Sequence, residues 1–82
     1  MSALIAGIMD AIAARFTVRE PVTHDDMVAI RAALIAELPA GWSVEVLRRH
    51  DSGDLTLRAQ AWSGAQCQVF TRQIRVLALD PK

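Results

Sequence analysis

The apolar and polar positions of this chain change period once. In residues 3–16, Leu4, Ile5, Ile8, Met9, Ile12 and Phe16 recur at three- and four-residue spacing, the pattern of one helical face. Ala3, Ala6, Ala11, Ala13 and Ala14 fill most of the other positions. The predicted helix therefore has high intrinsic propensity and is apolar nearly all round. Thr17, Val18 and Pro21 break it, and Pro21 pushes Glu20 toward an extended backbone. Phe16–Val18 is a candidate short strand. Thr23-His24-Asp25-Asp26 then reads as a helix start, with Thr23 and Asp26 set to cap each other and two acids at the positive end of the helix dipole. The second helix is predicted to run to about Leu38. Met27, Ile30, Leu34 and Leu38 share one face, Val28, Ala32 and Ile35 widen it, and Pro39-Ala40-Gly41 ends it.

From Trp42 the period is two. Trp42–Val46 and Leu55–Ala61 alternate apolar and polar, as half-buried strands do. Asp51-Ser52-Gly53-Asp54 between them is hairpin-loop chemistry, and Ser63-Gly64-Ala65-Gln66 is a second turn. A third strand is predicted from Cys67 to about Leu79. The fold class is therefore α+β: two N-terminal helices followed by a three-stranded antiparallel β-meander (ααβββ). Both helices pack on one sheet face, in a single small domain over residues 1–82.

Pairing residue 50 with 55, and 62 with 67, sorts the side chains. Trp42, Val44, Val46, Leu55, Leu57, Ala59, Ala61, Phe70, Ile74 and Val76 collect on a core face. Glu45, Leu47, Arg49, Thr56, Arg58, Gln60, Trp62, Val69, Thr71, Gln73, Arg75 and Leu77 collect on the other. A slip of one residue in the second hairpin exchanges the faces of the third strand. That strand is longer than its neighbour can pair. Its surplus must hydrogen-bond to Phe16–Val18, to another copy, or to water. Arg72 and Arg75 are placed to guard its edge.

Composition narrows the function classes. The chain has 82 residues, 52% of them hydrophobic and 22% charged, with nine basic residues balancing nine acidic ones. Disorder needs the opposite balance, and a nucleic-acid-binding tail needs a basic excess. The single cysteine, Cys67, excludes a disulfide scaffold and fits a reducing cytoplasm. The N-terminal apolar stretch has its first basic residue, Arg15, at its end and Asp10 inside it. It is wrong for a signal peptide and too short for a membrane span, so no membrane association is expected. Eight arginines against one lysine, with alanine the commonest residue, suggest a GC-rich prokaryotic or phage genome.

Catalytic chemistry finds few candidates. Cys67 has no base beside it in sequence, and His24 and His50 fall at a helix start and a hairpin tip. Asp25/Asp26 and Asp51/Asp54 are accounted for by capping and turn chemistry. Four isolated glycines make no phosphate loop, and the layout leaves no room for a pocket of ~300 Å³. No catalytic residue, metal ligand or cofactor is assigned. The expected function is a non-enzymatic protein–protein interaction module: an accessory protein, inhibitor, adaptor or assembly subunit that self-associates as a homodimer or larger. Trp and Arg concentrate binding energy at interfaces, which makes Leu47, Arg49, Arg58, Trp62, Arg75 and Leu77 the candidate partner-binding residues. The alternative is weak nucleic-acid binding through Arg48, Arg49, Arg58, Arg72 and Arg75. Residues 42–79 hold five arginines against three acids, a weak field for that task.

Overall fold

The computed structural model describes residues 2–78. Helix α1 spans Ser2–Arg15, strand β1 Val18–Arg19 and helix α2 His24–Glu37. Four strands follow: β2 Ser43–Arg48, β3 Leu55–Ser63, β4 Gln66–Ile74 and β5 Val76–Leu77. The fold is α+β, with a three-stranded antiparallel sheet in the order β2-β3-β4 and a separate parallel pair, β1-β5.

The second helix begins as its sequence dictates. The Thr23 backbone N–H donates to Asp26 Oδ2 at 3.0 Å, and the Asp26 N–H donates to Thr23 Oγ1 at 3.2 Å. Two of the free donors at the helix start are thereby satisfied reciprocally. The helix closes at Leu38, whose N–H reaches the Leu34 carbonyl at 3.1 Å.

Alternation in the strands builds the core. Val44, Leu55, Leu57, Ala59 and Ile74 are buried on the inner sheet face. They meet Ile5, Met9 and Ile12 of α1, Ile30 and Leu34 of α2, and Val18 of β1 in one cluster. Burial of each large aliphatic side chain contributes about 1.5–3 kcal/mol. Helix α1 lies over β4 and α2 over β2. Arg31 of α2 also donates to the Val44 carbonyl at 3.2 Å, covering part of the sheet's β2 edge.

Several expectations are corrected. The order ααβββ lacks β1 and β5. The long third strand ends at Ile74, because its last partner, Leu55, is the first residue of β3. Beyond Arg75 the chain pairs with β1, Val18 opposite Val76 and Arg19 opposite Leu77. The Val76 N–H is received by Asp54 Oδ1 at 3.0 Å. The surplus backbone thus finds partners, and one is Val18–Arg19, which overlaps the expected Phe16–Val18 strand at Val18. Leu79 lies outside the described residues.

The first hairpin is shifted. Arg48, not His50, stands opposite Leu55, because the loop is two residues longer than the assumed pairing allows. Its Arg49 N–H donates to the Asp54 carbonyl at 2.8 Å, and the Gly53 N–H returns to the Arg49 carbonyl at 2.9 Å. Gly53 takes φ 77°, a conformation that favours glycine. A shift of two residues is even, so each side chain keeps its sheet face. In α2, Val28, Ala32 and Ile35 do not widen the buried face. Val28 is 48% and Ile35 42% exposed, because only one side of the helix meets the sheet.

Candidate functional site

The outer face of the sheet is organised by the β3–β4 hairpin. Its two-residue loop, Gly64-Ala65, has φ 62° at Gly64, as a type II′ turn requires at its first position. That turn sets Ser63 opposite Gln66 and Trp62 opposite Cys67, the pairing expected from the sequence. Strand β2 reaches only to Ser43, opposite Gln60. From Ala61 to Gln68 the hairpin is therefore a two-stranded ribbon standing clear of the third strand.

Trp62 sits on this ribbon and is 67% exposed. Val69, opposite Gln60, is its diagonal neighbour on the same face and is 45% exposed. The Cys67 thiol beside Trp62 is exposed. Leu47, opposite Thr56, is 46% exposed. Six residues separate Thr56 from Trp62 along β3, so Leu47 lies about 20 Å from the indole along the strand direction. Trp62 and Val69 form one apolar patch, and Leu47 is a separate spot.

Arg58 occupies the middle of the outer face, flanked by Glu45 and Thr71 in the ladder. The other three expected site residues lie elsewhere. Arg49 turns back on the loop and holds Asp51 with two bonds, Nε–Oδ1 at 3.0 Å and Nη2–Oδ2 at 2.7 Å. These hydrogen bonds, with the attraction between the opposite charges, raise the Arg49 pKa above its ordinary value and lower that of Asp51. Arg75 is exposed between β4 and β5. Leu77, in β5, is paired to Arg19 and half-buried. The structure brings Leu47, Arg58 and Trp62 onto one face, and Arg49, Arg75 and Leu77 are not part of it. Alternation had placed Val69 on this face, where it stays exposed because the helices cover only the other side of the sheet; Trp62 additionally lacks the third strand beside it.

The arginines are largely engaged. Arg48 pairs with Glu20, Arg49 with Asp51 and Arg72 with Asp10 at 2.5 Å. Arg72 also donates to the Thr71 carbonyl at 2.8 Å, folding a charged side chain over the outer edge of β4. It is the edge guard that the sequence suggested; Arg75, past the end of the strand, is not.

One depression contradicts the expectation that no space of ~300 Å³ exists. A groove of about 320 Å³ runs along α1, lined by Ala3, Leu4, Gly7, Ile8, Ala11, Ile12 and Arg15, with Glu37 of α2. It is an open trough in an apolar helix surface. Among the described residues, no three His, Cys, Asp or Glu side chains cluster in a way that could hold a metal ion. Nor is any described helix long and apolar enough to cross a membrane. Comparison with protein-family models, with curated proteins and with solved structures finds no match to this chain.

Proposed function

We propose that this protein is a non-enzymatic protein–protein interaction module that docks through the tip of the β3–β4 hairpin and also self-associates. The observation that carries this reading is Trp62: a tryptophan 67% exposed on a ribbon whose backbone is fixed by a tight turn. An indole offers a large, nearly rigid contact area with one polar handle. Such side chains supply much of the energy at protein interfaces. Val69 extends the patch, and Arg58 sets a charge further along the same face. The partner is a protein with an apolar pocket for the indole. The proposed setting is the cytoplasm of a prokaryote or of a phage-infected cell, where the exposed Cys67 thiol stays reduced.

The nucleic-acid reading has less support. Three of the five arginines it needs are already paired with carboxylates, and one exposed aromatic is a poor stacking platform.

Immobilised wild-type chain and the Trp62→Ser/Val69→Ser variant test the reading in a host extract. The wild type is expected to retain a protein at high salt that the variant loses. Equal retention by both overturns the docking site. Retention of nucleic acid that falls steeply with salt supports the alternative.

A further inference from the structure

The helix layer, on the side of the sheet opposite Trp62, carries its own unpartnered surface. Leu4 is 55% exposed, and Ala3, Gly7 and Ala11 beside it leave the α1 backbone open to close approach. These residues line the 320 Å³ groove, whose polar side chains are Arg15 and Glu37.

Topology puts those two charges at opposite ends. Strands β2 and β4 both run antiparallel to β3, so they run parallel to each other. Helix α1 passes Arg72 at Asp10 and leads into β1, which pairs with β5 beyond the end of β4. It therefore runs in the direction of β4. Helix α2 starts beside Val46 and passes Val44 at Arg31, against the direction of β2. The helices are thus antiparallel, and Glu37, the last residue of α2, stands beside the start of α1. Arg15 lies about 17 Å away, at the other end of the trough. Neither charge has an ion-pair partner among the described residues, and Arg15 rests over the Phe16 ring at 5.7 Å.

An apolar trough with a positive charge at one end and a negative charge at the other is complementary to its own copy turned end for end. We propose that the α1 groove receives α1 of a second copy of this chain, antiparallel about a two-fold axis, with Arg15 of each copy against Glu37 of the other. Centring the axis on the trough sets Gly7 opposite the partner's Ala11. It also sets the partner's Arg15 beside Ala3, where Glu37 stands. The contact is isologous and closes on itself. Small side chains at the crossing permit the short end of the usual 8–10 Å interhelical spacing. The proposal rests on the interaction-module reading for its premise that exposed apolar surface is used in docking. It uses a different surface, so the two can fail separately.

Sedimentation velocity across micromolar concentrations tests it, with helix content and melting temperature followed in each variant. The wild type is expected to move from 9.0 kDa to twice that mass. A Cβ at Gly7 would meet nothing within 4 Å in its own chain, so Gly7→Gln keeps the fold while filling the crossing, and is expected to remain monomeric. Arg15→Glu or Glu37→Arg alone raises the dimer Kd about tenfold, since each reversal acts twice across the axis. The double variant R15E/E37R restores it. A wild type that stays monomeric overturns the proposal. So does a dimer that survives Gly7→Gln, or a double variant no tighter than the singles. A dimer abolished by Trp62→Ser and untouched by Gly7→Gln places self-association on the hairpin, which overturns the helix contact and leaves the interaction-module reading standing.

Discussion

The base and the tip of the β3–β4 hairpin are the same two strands with opposite surroundings. At the base, Leu55 and Leu57 are fully buried and Ile74 is 2% exposed, because helices cover the inner face and β2 extends the sheet. At the tip, Trp62, Cys67 and Val69 are exposed, because they lie on the outer face, which no helix covers, and β2 has ended beside Trp62 and Cys67. Alternation sorts these residues onto opposite faces, yet it does not distinguish the two ends along the inner face, where Leu57 is buried and Gln68 exposed. Coverage by neighbouring elements does, and it makes the base a stability element and the tip a surface available to a partner.

Substitutions in the hairpin, and at Trp42 packed against it, measure that contrast. Leu57→Ala should show the largest effect, a loss of about 3 kcal/mol in chemical denaturation, because a fully buried site loses contacts and gains a cavity. Trp42 packs on Phe70 at the margin of the core, with ring centroids 5.8 Å apart. Being half-buried, Trp42→Ala should cost about 2 kcal/mol, less than a fully buried tryptophan would. At the tip, Gly64→Ala meets no steric neighbour, so its cost is the backbone term for φ 62°, about 1 kcal/mol. Trp62→Ser should change stability least, within about 0.5 kcal/mol, while abolishing partner retention. Equal losses for Leu57→Ala and Trp62→Ser would dissolve the distinction between base and tip. A Gly64→Ala effect as large as that of Leu57→Ala would make the tip a structural element.

Local signals carried much of the fold. Thr23 and Asp26 lie three residues apart, and that spacing alone fixes a capping box. Ser63-Gly64-Ala65-Gln66 fixes the second hairpin, because a two-residue loop leaves one register. The first loop was less legible. The Asp51 carboxylate accepts from the Ser52 N–H at 2.8 Å, and the Ser52 hydroxyl accepts from the Asp54 N–H at 3.3 Å. A loop so held can be four or six residues long with the same composition. Period two still preserved the faces, so the error cost position and not orientation. The candidate site was half legible for a related reason. Leu47, Arg58 and Trp62 are inside strands, where parity places them. Arg49 is at a loop, where a nearby Asp51 captures it, and Arg75 and Leu77 lie past the last residue that β3 can pair.

The helices show the limit of pattern reading most clearly. Val28 and Ile35 of α2, like Leu4 of α1, are as apolar as the residues that are buried. A helix apolar on several sides offers more than one face, and only the sheet chooses among them.

By itself, then, the sequence determined the α+β class, the capping box, the tight turn and the sorting of each strand into two faces. Those features depend on residues within a few positions of one another. Tertiary structure alone decided where β4 must stop, which arginines are neutralised, which helix faces stay in water and that Trp62 stands beyond the third strand. Each of those depends on which groups are left without a partner after distant segments meet. Spacing along one chain carries no record of that.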